Sequence, residues 1–386
     1  MIWWVIAALV TAVVGGRLSP YEKPNLEKQL RHLPPVTSIR TTYGDLYDCI
    51  DFYKQPAFDH PLLKNHTFYF EMKPSSHGKG GERISKVGSR SKTKRVKTLW
   101  ANGRGCPYGT VPIKRTAKED PTGKILHFEN QNSNISISSA RYPGLHYALL
   151  EPKYDPLKMY TGVGAKMTTW KLSVTANQYS SAQIRVQKGD EYIQTGWRVD
   201  LTLNGDTMTR GFIYTHAGQS QCYNTECPGF VIVRPDQPLD AVLEPLSEPG
   251  GQLYEQKFSI WQDPLTGNWW LARGDEDGRI GFWPKSLFKS LKGMASYVNW
   301  GGEVYGPPEK PSPQMGSGSS FRGDPKYDAC MVDVTYRNET NDVVMVAKTQ
   351  ESADARDYYD IKDFGLHYWV GTNVFAYGGP GGIIGN

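Results

Sequence analysis

Two strand-like stretches carry the side chains best suited to chemistry. Along a strand, successive side chains alternate between faces. In "YVNWGGEVY", Val298, Trp300 and Val304 share one face, and Tyr297, Asn299, Glu303 and Tyr305 share the other. In "YIQTGWRV", Ile193, Thr195, Trp197 and Val199 fall together, with Tyr192, Gln194 and Arg198 opposite. The first set of each stretch suits a core. The second, polar and aromatic, suits a cleft in which both strands present Tyr plus a carboxylate or a carboxamide. A carboxylate in a cleft is the group type that acid–base catalysis uses. Periodicity alone leaves two alternatives open: Gly301-Gly302 permits a bulge that shifts parity by one residue, and Glu303 also fits as an ordinary solvated group.

Local motifs for other chemistries are missing. The chain has no G-x-S-x-G elbow, no H-E-x-x-H and no phosphate-binding loop, and its eight histidines are scattered. "GGPGGIIGN" follows no βαβ pattern and reads as a turn-rich tail, and "GDEDG" as a solvated turn. No cofactor is expected. Cys222 and Cys227, in "QCYNTECPGF", suit a small disulfide loop better than a metal site, since only His216 is near in sequence. Cys49, Cys106 and Cys330 complete an odd count whose pairing stays open.

The elements that must hold these residues are short strands. Of 386 residues, 40 are Gly, 26 are Pro and 12% are aromatic, and long helical patterns are scarce. From about residue 140, runs such as "KMTTWKLSVTA", "GFVIVRP", "GNWWLARG" and "MVDVTYRN" alternate with turn residues. Such spacing predicts an all-β fold, an antiparallel β-sandwich over residues 136–386. "DPLTGNWWLARGDEDGRIGFWP" reads as consecutive hairpins. Residues 17–135 differ in texture, a small mixed domain with a basic, Gly/Ser-rich stretch at 74–97. That stretch lacks the interleaved aromatics that stack on bases, so no nucleic-acid partner is expected.

The chain opens on "MIWWVIAALVTAVVGG", an apolar block ending in small residues, too short for a comfortable membrane span. Residues 1–16 read as a signal peptide, which predicts a secreted protein, extracellular or in a cell wall, without stable membrane insertion. Sequons at Asn65, Asn134 and Asn338 agree.

Many motifs in order resemble the neprosin family of plant proteins: "DEYIQTGWRVD", "CYNTECPGFV", "DPLTGNWWLARG", "IGFWPKSLF", "VNWGGEV", "MGSGSS" and "FAYGGPG". Upstream, "GDLYDCIDFYKQPAFDHPLLKNH" and "CPYGTVPIKR" resemble that family's activation domain. The resemblance implies a secreted glutamic peptidase zymogen, proline-directed, acting on peptide or protein substrates and inhibited by its own pro-domain (residues 17–135). It places one catalytic glutamate at Glu303 and the other at position 194, where this chain has Gln. Eqolisins, a second β-sandwich glutamic-peptidase family, use a Gln and a Glu. By analogy Glu303 is base and then acid, and Gln194 donates to the oxyanion across one shared water. Tyr192, Tyr297, Tyr305, Trp269 and Trp270 are the expected substrate contacts. Relatives carry a cysteine after "GGPG" where this chain has "GGIIGN", which leaves Cys330 as the odd thiol. The alternative is a silent β-sandwich that binds peptide or wall polysaccharide in the same groove.

Overall fold

The computed structural model describes residues 34–75, 99–115, 142–218, 220–274, 278–367 and 371–384. The signal-like segment, Asn134 and all but Pro74 and Ser75 of the basic stretch lie outside them, as does the expected boundary at residue 136.

The first two described segments form a small antiparallel sheet of β1 (Thr37–Arg40), β2 (Leu46–Asp51) and β3 (Thr110–Lys114), with 3-10 turns at Phe52–Lys54, Pro56–Asp59 and Pro61–Leu63. The disulfide Cys49–Cys106 ties β2 to the approach to β3.

Two antiparallel sheets follow, as the strand pattern predicts. The first, of seven strands, is built from β4 (Leu145–Pro152), β6 (Tyr179–Lys188), β7 (Glu191–Asp200), β8 (Arg210–Ala217), β9 (Ser220–Tyr223), β14 (Tyr297–Tyr305) and β17 (Thr349–Ala353), in the order β17-β4-β14-β6-β7-β8-β9. The second has nine: β5 (Gly162–Thr168), β10 (Val231–Ile232), β11 (Glu255–Gln262), β12 (Trp269–Arg273), β13 (Arg279–Trp283), β15 (Ala329–Arg337), β16 (Val343–Met345), β18 (Asp360–His367) and β19 (Thr372–Gly378). The predicted hairpins are β11-β12-β13; the first turns at Asp263, whose carboxylate accepts from the Leu265 and Thr266 amides.

Tryptophans lock the sheets together. Trp197 of β7 and Trp300 of β14 are sealed in the interlayer, and their indole N–H groups donate to Thr168 O (3.0 Å) and Gly164 O (3.2 Å) of β5. One strand of the opposite sheet therefore fixes the height of both strands that carry the predicted site. Trp300→Ala empties a large volume and removes that anchor, so it should cost roughly 3–5 kcal/mol in thermal or denaturant unfolding.

The register of β14 runs unbroken from Tyr297 to Tyr305 against β6, so the two glycines make no bulge. The parity read from sequence holds: Val298, Trp300 and Val304 are in the core, as are Ile193, Trp197 and Val199 on β7.

Candidate active site

The outer face of the seven-stranded sheet is built in rows. Arg185 of β6 pairs with Gln194 of β7 on one side and with Asn299 of β14 on the other. The next row is Gly196, Gln183 and Gly301, and the one after it Arg198, Ser181 and Glu303. The middle row places no side chain on either flank of Gln183. The result is a polar strip between two aromatic clusters. Leu145, Tyr147, Leu149, Tyr179 and Tyr305 gather on the Glu303 side; Tyr192, Phe212, Tyr214 and Tyr223 gather on the Gln194 side.

Glu303 accepts a hydrogen bond from the Tyr179 phenol at 2.8 Å. Burial first, then the Glu303 charge, pushes the Tyr179 phenol well above its ordinary range, so it remains a donor. Arg198 stacks 3.4 Å over the Tyr179 ring, but its N–H groups go to Asp200 (2.8 and 2.7 Å) and to the Tyr223 hydroxyl (3.0 Å). Among the described residues no cation forms an ion pair with Glu303. The other carboxylates near this face are engaged: Asp200 by Arg198, and Glu151 by Tyr297 and Gln350.

Gln194 and Glu303 share the face but not a row. β6 lies between their strands, and Glu303 is four residues beyond Asn299, the residue level with Gln194. In a flat sheet that offset is about 13 Å along the strands and about 10 Å across them. No direct hydrogen bond joins the two side chains, and the Glu303 charge reaches the Tyr192 and Tyr223 phenols on the Gln194 side of the strip. Glu191 points to the opposite face, as its odd offset from Gln194 requires, where its carboxylate accepts from the Lys289, Ser290 and Leu291 amides.

The remaining expected contacts divide. Tyr305 stacks beside Tyr179 near Glu303. Tyr192 and Tyr297 lie on the same face, at the Arg185 end. Trp269 and Trp270 do not join them, because β12 belongs to the other sheet. Trp269 is sealed with its indole on Leu291 O, and Trp270, although it is the outward one, is fully buried against Phe282, itself covered by Phe68 of the N-terminal segment. Sequence parity gave the strand's faces correctly but not which sheet the strand joins.

Sequence reasoning missed Arg185 and Gln183. Their parity on "AQIRVQ" was legible, but their importance comes from what they lack in the fold. Cys222 and Cys227 form the expected disulfide, and Cys330 is the free, buried thiol, whose ionisation burial pushes up to about 12. Asn65 is exposed; the Asn338 carboxamide bonds within its own turn, to Thr340 and Asp342.

The described part of the N-terminal segment holds the body away from Glu303. Its Asp45 takes Arg210 in a two-pronged pair, 2.9 Å at each oxygen, and Tyr47 donates to Asp240. Gln55 brackets Ile232, Trp100 donates to Asp236 O, and Ser75 donates to Asp263. None of these contacts reaches Gln194 or Glu303.

Compared with known proteins, residues 176–380 match the family described as Neprosin, just over half the chain. The chain belongs to the neprosin family. Residues 38–149 match the Neprosin activation peptide, so the segment docked through Asp45 and Phe68 is the activation domain. That match runs into β4, the strand paired with β14 opposite Glu303. Among solved structures, scytalido-glutamic peptidase with a peptide-based transition state analogue is 12% identical over 61% of this neprosin-family chain and 98% of its own, with a TM-score of 0.32. SCP-B, a member of the eqolisin family of peptidases in complex with the tripeptide Ala-Ile-His, is 11% identical over 61% and 96%, with a TM-score of 0.31.

Proposed function

We propose that the chain is a secreted, proline-directed glutamic endopeptidase made as a zymogen, with Glu303 as its proton-transfer group. The observation that carries the reading is that Glu303 stands on the polar strip of the outer face with no ion-pair partner among the described residues, held by a neutral phenol. A carboxylate so held can take a proton from water, as that water attacks the scissile carbonyl, and return it to the departing nitrogen. Tyr179 holds the carboxylate in place and keeps its own proton throughout. Gln194, two strands away and in a different row of the same face, contacts the substrate chain along the groove. Tyr305 and Tyr147 line the Glu303 side of the groove, where a proline can pack.

The test is cleavage of proline-containing peptides at pH 2.5–6. Glu303→Gln should lower kcat/KM by about 10²-fold or more. Gln194→Ala should raise KM more than it lowers kcat. Cleavage undiminished in Glu303→Gln would sink the assignment. One observation favours a second reading, a groove that binds peptide without turnover: the row containing Gln194 holds no carboxylate. Wild-type protein that binds these peptides and leaves them intact would establish that reading instead.

A further inference from the structure

The middle of the outer face contains polar atoms that the protein itself does not satisfy. The Arg185 side chain is 2% exposed, and its Nε and Nη2 are sealed from bulk solvent with no hydrogen-bond partner among the described residues. No carboxylate there forms an ion pair with it. The guanidinium stacks 3.5 Å from the Tyr192 ring centre. Ring stacking orients a cation and offsets part of its desolvation, but it does not accept the N–H groups at the edge of the plane. A buried charge without an acceptor costs several kcal/mol.

Gln183 Oε1 and the Tyr147 hydroxyl, on the same face, are in the same state. The orientation of Gln183 follows from a relay. The Tyr297 hydroxyl donates to Glu151, an acceptor-only group, at 2.5 Å, and so accepts from Asn299 Nδ2 at 3.0 Å. Asn299 Oδ1 then accepts from Gln183 Nε2 at 2.8 Å. With its nitrogen committed, Gln183 presents an oxygen. The strip therefore offers a guanidinium fork and, one row away, an amide acceptor.

We propose that Arg185 is an anchoring site for a carboxylate of a peptide bound in this groove, with Gln183 Oε1 accepting a backbone N–H of the same peptide. A guanidinium binds a carboxylate through two parallel N–H groups, and the vacant edge of Arg185 is that fork. A chain-terminal carboxylate and an acidic side chain share this chemistry. The peptide nature of the ligand rests on the groove reading of the preceding section; the anion site itself does not depend on whether Glu303 hydrolyses anything.

The experiment is a binding titration of the full chain with three blocked tetrapeptides of otherwise identical sequence, followed by anisotropy. One ends in a free carboxylate, one in an amide, and one in an amide preceded by Asp. The wild type should bind at least one acidic peptide about tenfold more tightly than the neutral amide. Preference for the first acid assigns the chain terminus, and preference for the second assigns the side chain. Arg185→Met should erase the preference without lowering Tm, since it removes an unpaired charge rather than half of a pair. Arg185→Lys keeps the charge without the fork and should retain only part of it. Equal binding of all three peptides by the wild type would overturn the proposal whatever the variants do. So would a preference that persists in Arg185→Met, or a fall in that variant's Tm of the size expected for a broken internal ion pair.

Discussion

Gly301→Ala should unfold the sandwich or destabilise it by more than about 4 kcal/mol, a loss confined to severe backbone and packing conflicts. Gly301 has φ +147°, and an added Cβ would stand 2.1 Å from Ala148 O and 2.9 Å from the Leu149 Cα. Those are backbone atoms of β4, hydrogen-bonded in their own register to β14 and β17, so they cannot step aside without breaking a ladder. Gly196, on the far side of Gln183, is in the same position against Ala182 O at 1.9 Å. Gly293→Ala is the control, because nothing lies within 4 Å of its added carbon. Equilibrium unfolding of the three variants checks the ordering; a Gly301→Ala protein as stable as the Gly293→Ala protein would refute it.

Acid should loosen the activation domain, and Arg210→Met should loosen it at every pH. Arg210 is 2% exposed and pairs with Asp45 across the junction. Burial pushes the Asp45 carboxyl up, but the hydrogen bonds and charge of Arg210, with Lys114, overcome that and hold it below its usual 3.8. Asp263 behaves alike: burial raises it, while bonds from Ser75 and from the backbone of its own turn bring it below 3.8. A carboxylate with a depressed folded-state value contributes its stabilisation in full above the unfolded value. It loses that contribution as pH falls through the folded one. Docking should therefore be constant near neutrality and weaken below about pH 3.8. Breaking the buried pair from the Arg210 side should cost roughly 3–5 kcal/mol. Hydrogen exchange of the β2 amides, compared between variant and wild type at one pH, should show protection reduced by about 10²-fold or more. Unchanged β2 protection in Arg210→Met would remove this pair from the docking energy.

The strands, their alternating faces and the two-sheet architecture were legible because short apolar alternation punctuated by Gly and Pro has few other folded outcomes. The parity of Glu303 and Gln194 was legible for the same reason. Their relative register was not. It depends on which residues of β6 stand level with each, and register across an intervening strand leaves no mark in either strand's own sequence. Trp270 shows the same limit: its outward parity was clear, but Phe68, which covers its neighbour Phe282, comes from the activation domain far earlier in the chain. Arg185 was hidden for a further reason. An arginine among polar neighbours looks like any solvated surface group until the fold reveals that no carboxylate among the described residues pairs with it.

The hydrophobic core runs without interruption from the sandwich into the activation domain, where Phe52, Ala57, Leu63 and Val111 belong to the same cluster as Phe282 and Trp270. Cutting the polypeptide between the two would yield a nicked heterodimer, still glued by its shared oily seam. Maturation would then have two clocks, scission and departure, and the slower would belong to the seam. A separated body would carry a bare aromatic plate on the side opposite its groove, a surface that invites either re-association or a new companion.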